Sequence, residues 1–390
     1  MKKSPHPIYN LQFGLLCLSS LLFSASFNML IPELPNYLSS LGGAEYKGLI
    51  IALFTLTAGI SRPFSGRLTD TVGRVPVMAV GSIVCFVCGL LYPVLTSVSG
   101  FLFLRLLHGF STGFKPTATS AYVADIAPKE RWGEALGIHG LCFSTGMAVG
   151  PAIGGFITLY FSINVLFYVS SALALLSILI IMNMKETLVA RQKFRPALLK
   201  ISRKDIIAVE VIPAAIVMLL TCLSYGAMLT LIPDRSESLQ IANKGTFFMV
   251  LTLFSLVMRF VAGKASDRYG RTRVIKIGLV VLVAALVLTG IANSVFMLML
   301  AAAVYGVAQG IYSPAINAWT VEMSHPDHRG KAVATGYIAL EAGIGLGAAF
   351  TGWYYGDVLA RIPAMFYAAA AMVVIAFVYI VYWEKKQLSR

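Results

Sequence analysis

Six ionisable residues, Glu33, Arg105, Lys115, Asp125, Asp234 and Glu341, stand inside or at the ends of long apolar stretches. A charge at the centre of a hydrocarbon layer costs about 2.5–3.5 kcal/mol on insertion scales, so each of these residues needs a reason to be there. Glu341 is a lone acid in a Gly/Ala-rich stretch running from Ala339 to Ala349. Burial favours the neutral form of a carboxyl group, which suits such an acid to load and release protons. Glu341 is therefore the leading candidate for proton coupling, with static pairing to Lys115 or Arg105 as the alternative. Glu33 and Asp125 are the next candidates. Glu33 and Asp234 each follow an Ile-Pro, and Asp234 with its neighbour Arg235 reads as a loop-end pair. Arg105 and Lys115 share one apolar stretch and together could hold a carboxylate or phosphate. His108 and His139 are expected to be hydrogen-bonded packing residues.

A second kind of chemistry lies in a charged turn. Gly66-Arg67-Leu68-Thr69-Asp70-Thr71-Val72-Gly73-Arg74 returns as Gly263-Lys264-Ala265-Ser266-Asp267-Arg268-Tyr269-Gly270-Arg271, 197 residues later. The same shift carries Arg62 to Arg259, Gly109 to Gly306, Asp125 to Glu322 and Gly150 to Gly347. One gapless register over so many positions indicates a duplicated unit. Gly66 and Gly73 suit a tight turn and close backbone approach. Asp70 is placed to cap a neighbouring helix start. Arg74 is placed to pair with Asp125, and Asp267, Arg271 and Glu322 repeat that set. Such a breakable cluster suits a gate; a loop that only fixes topology is the alternative.

The elements that must position these groups follow from composition. The chain has 390 residues, of which 58% are hydrophobic and 12% charged, about half the charge of a soluble protein. Its mean hydropathy is +0.79. A helix needs about 20 apolar residues to cross a bilayer. Twelve such runs lie near 11–36, 46–65, 76–95, 100–123, 135–158, 165–184, 207–232, 245–262, 274–292, 296–321, 333–355 and 362–383. The first run is too long for a signal peptide and lacks a small-residue cleavage site. The fold expected is all-α, with twelve transmembrane helices in two pseudo-symmetric six-helix bundles, residues 1–184 and 207–390, joined by a basic linker over 185–206. The net charge of +14 does not indicate nucleic-acid binding, because Lys and Arg concentrate in alternate loops. On one side they number 23, on the other 4, which places both termini in the cytoplasm. Cys17, Cys85, Cys88, Cys142 and Cys222 all fall within apolar runs and read as small core residues.

The fifth run contains Gly146-Met147-Ala148-Val149-Gly150-Pro151-Ala152-Ile153-Gly154-Gly155. Gly146, Gly150 and Gly154 recur on one helix face, where a neighbouring helix can come close. Pro151 removes a backbone hydrogen bond. A close-packed, bent helix can seal one end of a pathway. The two charged turns, the twelve spans, Arg105-Leu106-Leu107-His108-Gly109 and this glycine-proline element together resemble the major facilitator superfamily over essentially the whole chain. The fifth-run element is similar to that of its drug:proton antiporter branch. The second half keeps Gly343, Gly345 and Gly347 but has no proline there.

The resemblance implies alternating access about a central cavity, with the proton gradient as energy source, no bound cofactor, and a monomer in the cell membrane as the working unit. The function it suggests is proton-coupled efflux of a small amphiphilic or drug-like compound. The other readings are transport of a sugar or anionic metabolite held by Arg105 and Lys115, and a non-transporting membrane sensor. Asn28, Tyr225, Asp234, Gln309, Tyr312, Asn317, Trp319 and Tyr337 are the expected cavity residues, an apolar-aromatic lining with a few polar anchors. Gly109-Phe110-Ser111-Thr112-Gly113 and the glycines from 343 to 347 fit hydrolase and dinucleotide patterns by letter only. Neither has the strand that such motifs require.

Overall fold

The structure is a computed structural model and describes residues 10–128, 131–200, 206–324 and 329–388. Lys2, Lys3, Lys129, Arg203, Lys204 and Arg390 of the basic segments lie outside the described residues. The helices are α1 (Leu11–Asn28), α2 (Leu34–Ser40), α3 (Lys47–Thr71), α4 (Arg74–Leu91), α5 (Val98–Ile126), α6 (Trp132–Tyr160), α7 (Ile163–Met182), α8 (Ile212–Ser238), α9 (Gly245–Tyr269), α10 (Arg271–Ile291), α11 (Val295–Met323), α12 (Arg329–Tyr355) and α13 (Ile362–Leu388). Among the described residues ten are long and apolar enough to cross a membrane. α9 adds a shorter apolar helix over Gly245–Arg259. α5, with Arg105 and Lys115 buried in it, completes twelve long helices.

The first expected span, 11–36, is broken. α1 stops at Asn28, and α2 begins at Leu34. Pro32 explains the break, since it lacks an N–H and disfavours helix in the residue before it, and Pro35 sits in the first turn of α2, where a proline is tolerated. The matching Pro233 is accommodated inside α8, which runs on to Ser238. Glu33 and Asp234 are therefore not equivalents, one preceding a short helix and the other lying within a long one. The charged turns are also tighter than expected. α3 reaches Thr71 and α9 reaches Tyr269, leaving Gly73 (φ +139°) and Gly270 (φ +90°) to reverse the chain in the region that glycine tolerates. Gly66 lies within α3 with open space around it, so neither a turn nor close packing requires a glycine there.

The duplication is visible in the packing. α1 packs on α6 and α7, and α4 and α5 pack on each other, with α3 against α5 and α4 against α7. In the second half α8 packs on α12 and α13, α10 on α11 and α13, and α9 on α11. Gly109 lies against the Phe54 carbonyl, and Gly306 lies against that of Leu251, the same contact one repeat later. Ser97 and Ser294 cap α5 and α11 in the same register, donated to by Gly100 N at 3.1 Å and Met297 N at 3.3 Å. Two seams join the halves, α3 against α12 and α6 against α9.

Candidate functional site

The far end of the molecule, opposite the charged turns, is closed by ion pairs and glycine contacts. Lys47, the first residue of α3, places Nζ 2.8 Å from Asp234 Oδ2 and 2.5 Å from Asp357 Oδ1. Tyr355 OH donates to the same Asp234 oxygen at 2.8 Å. Asn36 Nδ2 and Lys244 Nζ both donate to Glu237 Oε2, at 2.8 and 2.7 Å. Asn243 Nδ2 reaches Ala152 O across the α6–α9 seam at 2.9 Å. Glu33 is buried in this layer, bonded to Thr158 and facing Lys244. A Cβ on Gly48 would stand 2.5 Å from Ala348 O and 2.8 Å from Gly352 Cα, so the α3 and α12 backbones nearly touch. Gly245 likewise lies against the Pro151 backbone, and Gly155 against the Asn243 side chain.

At mid-depth Arg62 Nη2 lies 2.7 Å from Glu341 Oε1, across the α3–α12 seam. Both side chains are buried, and the guanidinium sits 4.4 Å from the Tyr337 ring centroid. In the other seam Arg259 Nη1 donates to Ser144 Oγ at 3.2 Å. Arg62 and Arg259 stand 197 residues apart, as do Ser144 and Glu341. One contact is thus built twice, with an acid at one seam and a hydroxyl at the other.

Towards the turns a cavity of about 1280 Å³ opens between α6, α9 and α11. Leu141, Leu256, Pro314, Arg259 and Asn317 line it, and Asp267, Arg271 and Glu322 stand at its mouth. The turn clusters also match each other. Arg74 Nε lies 2.9 Å from Asp125 Oδ2, and its Nη1 lies 3.3 Å from Asp70 Oδ1. Arg271 Nε lies 3.3 Å from Glu322 Oε2, and its Nη1 lies 2.5 Å from Asp267 Oδ1. Asp70 does not cap α4. Glu186 does so instead, its two oxygens accepting from Arg74 N at 3.0 Å and Val75 N at 2.9 Å. Asp70 is turned to solvent at the end of its own helix, whereas Glu186 arrives from beyond α7 and faces the free N–H groups directly.

Several expected positions are corrected. Lys115 is buried inside the first half, away from the cavity. Its Nζ donates to Ser19 O at 3.0 Å, to Ser19 Oγ at 2.9 Å and to Ser177 Oγ, with the Phe23 ring centroid at 4.5 Å. Arg105 donates from Nε to Ile50 O at 2.9 Å and from Nη1 to Tyr92 OH at 3.3 Å, packed over Phe54. Among the described residues neither side chain pairs with an acid, and the two do not converge on one site. Glu341 is partnered by Arg62, not by either of them. Asp234 is partnered by Lys47; Arg235 turns to the Ala292 carbonyl. Asn28 donates back to Ser24 O at 2.8 Å on its own helix. Tyr225 and Tyr312 cluster with Tyr305, and Trp319 packs edge-on against Trp383. Gln309 lies half-buried on α11, outside the cavity lining. His108 sits between Tyr92 OH (3.1 Å) and Cys85 Sγ (3.2 Å), and His139 meets Ser20 Oγ at 2.8 Å, both as packing residues. Gly146 and Gly150 face α1: a Cβ on them would lie 2.5 Å from Leu21 O and 2.8 Å from Ala25 O, while Gly154 abuts Met29 O.

Sequence reasoning missed Lys47, Arg62, Arg259 and Glu186 as members of these sites. For the two arginines a signal existed, because the 197-residue shift pairs them, and the same shift sets Ser144 against Glu341.

The family model described as Major Facilitator Superfamily matches residues 16–257 and 214–389. The multi-drug resistance efflux pump PmrA of Streptococcus pneumoniae is 30% identical over 318 residues, covering 78% of this chain and 79% of the relative. The quinolone resistance protein NorA of Staphylococcus aureus is 31% identical over 197 residues, 49% of this chain and 50% of that protein. Among solved structures, the human organic anion transporter MFSD10 aligns with a TM-score of 0.74 at 19% identity, covering 94% of this chain and 98% of that one.

Proposed function

From a chain that belongs to the Major Facilitator Superfamily, and so carries small molecules across a membrane, we propose proton-coupled efflux of an amphiphilic or drug-like compound. Two bundles, residues 1–184 and 207–390, rock about the mid-depth layer, with the 185–206 linker, the charged turns and both termini on the cytoplasmic side. The observation that carries the coupling is the Arg62–Glu341 pair, buried at 2.7 Å on a seam between the halves. Protonation of Glu341 removes one charge of the pair and weakens the attachment of α3 to α12. The far end can then open and release the compound outward, and Glu341 gives its proton up towards the turn side when the pair re-forms.

The arrangement described above, closed at the far end and open towards the turns, corresponds to loading from the cytoplasm. The cavity wall, apolar along Leu141, Leu256 and Pro314 and polar at Arg259 and Asn317, suits an amphiphile. The efflux activity named for PmrA supports the direction. The proton gradient supplies the energy, and one chain supplies both bundles.

The test is purified protein in liposomes with an imposed pH gradient and a fluorescent lipophilic substrate. Accumulation should follow the gradient, vanish when an ionophore collapses it, and be absent in Glu341→Gln. Flux indifferent to the gradient would overturn the coupling.

A further inference from the structure

Arg259, like Lys115 and Arg105, meets no carboxylate among the described residues, but unlike those two it lines the cavity. Its repeat-mate Arg62 is neutralised by Glu341 at 2.7 Å. The position that would supply the matching acid is Ser144, whose hydroxyl accepts from Arg259 Nη1 at 3.2 Å. That bond uses one donor of a planar five-donor group. Arg259 Nε is buried with no hydrogen-bond partner. Nη1 and Nη2 keep further N–H donors beyond the bond to Ser144, enough for the two oxygens of a carboxylate. Around it stand the phenols of Tyr312, Tyr337 and Tyr225. The other charges at the cavity, Asp267, Arg271 and Glu322, are bonded to one another at its mouth.

A half-buried guanidinium held only by a hydroxyl is costly unless an anion meets it. Arg259 lines the 1280 Å³ cavity, where a ligand can supply that anion. We propose that Arg259 binds the carboxylate of an amphiphilic acid or zwitterion entering this cavity, a reading that rests on the transport function above and narrows its substrate class. The carboxylate takes the place at the α6–α9 seam that Glu341 holds at the α3–α12 seam. The ligand's apolar body lies along Leu141, Leu256 and Pro314, with Asn317 as a further polar contact. A bound carboxylate thereby completes a second charge pair, at the repeat-related seam.

The test is equilibrium binding to the purified full chain in detergent at neutral pH, with no gradient, using 1-naphthoate and its neutral analogue 1-naphthamide as probes. Wild type should bind the acid about tenfold or more tightly than the amide, the margin of a charge-assisted bidentate contact. Arg259→Gln should remove the preference and Arg259→Lys restore part of it. Ser144→Glu supplies the missing acid from within, and should abolish the preference with Arg259 still in place. Thermal melting of each variant reports on folding, and if Arg259→Gln fails to fold, wild type and Ser144→Glu still decide. Equal affinity of wild type for acid and amide, or a preference that survives Ser144→Glu, would overturn the proposal. Because no gradient is used, these outcomes do not depend on whether transport is proton-driven.

Discussion

Arg62 and Glu341 lie 279 residues apart in the chain and meet at 2.7 Å in the middle of the molecule. Arg62 is held from its other face by the Tyr337 ring. A buried pair of this kind is not in itself a strong source of stability, because both ions lose their hydration. In the mechanism proposed above it is the contact that protonation of Glu341 would weaken. Its counterpart, Arg259 with Ser144, cannot be weakened in that way, which makes the two seams chemically unequal although the backbone repeats.

Removing either partner leaves the other charge buried alone. Arg62→Ala and Glu341→Ala should each destabilise the protein by about 3 kcal/mol, and the double variant should lose clearly less than the sum. Chemical or thermal unfolding of the four proteins gives the coupling directly. Additive losses would mean that the pair contributes nothing as a pair.

The far-end closure depends on backbones in contact at Gly48 and Gly352. Gly352→Val places a branched side chain into that contact, so the closed far end should become unreachable and transport should fall by about tenfold or more. Wild-type flux from Gly352→Val would show that the α3–α12 contact need not close during the cycle.

Glu186 caps α4, and Gly73 makes room for it at a positive φ. Glu186→Ala should cost about 1 kcal/mol, a typical capping loss. Gly73→Ala should cost at least as much, since the new methyl would lie 2.5 Å from Glu186 Oε2. Gly66→Ala, inside α3 with open space around it, should be neutral or slightly stabilising. Melting temperatures that rank the three variants differently would refute this account of the turn.

Lys115 is a packing cation bonded to serine oxygens. Lys115→Met keeps the length of the side chain and removes the buried charge, so it should fold and leave substrate selectivity unchanged in the same liposome assay. A shift in selectivity towards or away from anions would return Lys115 to the binding site.

Much of the fold is written in the chain. Apolar runs of bilayer length and the 197-residue register are linear properties, readable without knowing which helix neighbours which. The turn clusters follow from them, because Arg74 and Asp125 sit at adjacent ends of consecutive hairpins. Three things could not be read that way. Pro32 breaks its helix while Pro233 does not, an outcome that the Ile-Pro-acid context the two share does not decide. Lys115 and Arg105 look like cavity residues by type, yet their helix is rotated so that they face the interior of the first half. Glu341 finds Arg62 rather than either of them.

The residues alone determined the class of molecule and its duplication, and singled out Glu341 as an acid within an apolar run. Tertiary packing decided that acid's partner, the hydroxyl opposite Arg259 and the end at which the cavity opens. The reason is that membrane helices are apolar on nearly every face, so no polar stripe declares which side turns inward. Rotation and neighbour choice are set instead by close contacts of small residues such as Gly48, Gly109 and Gly150, whose partners lie far away in sequence.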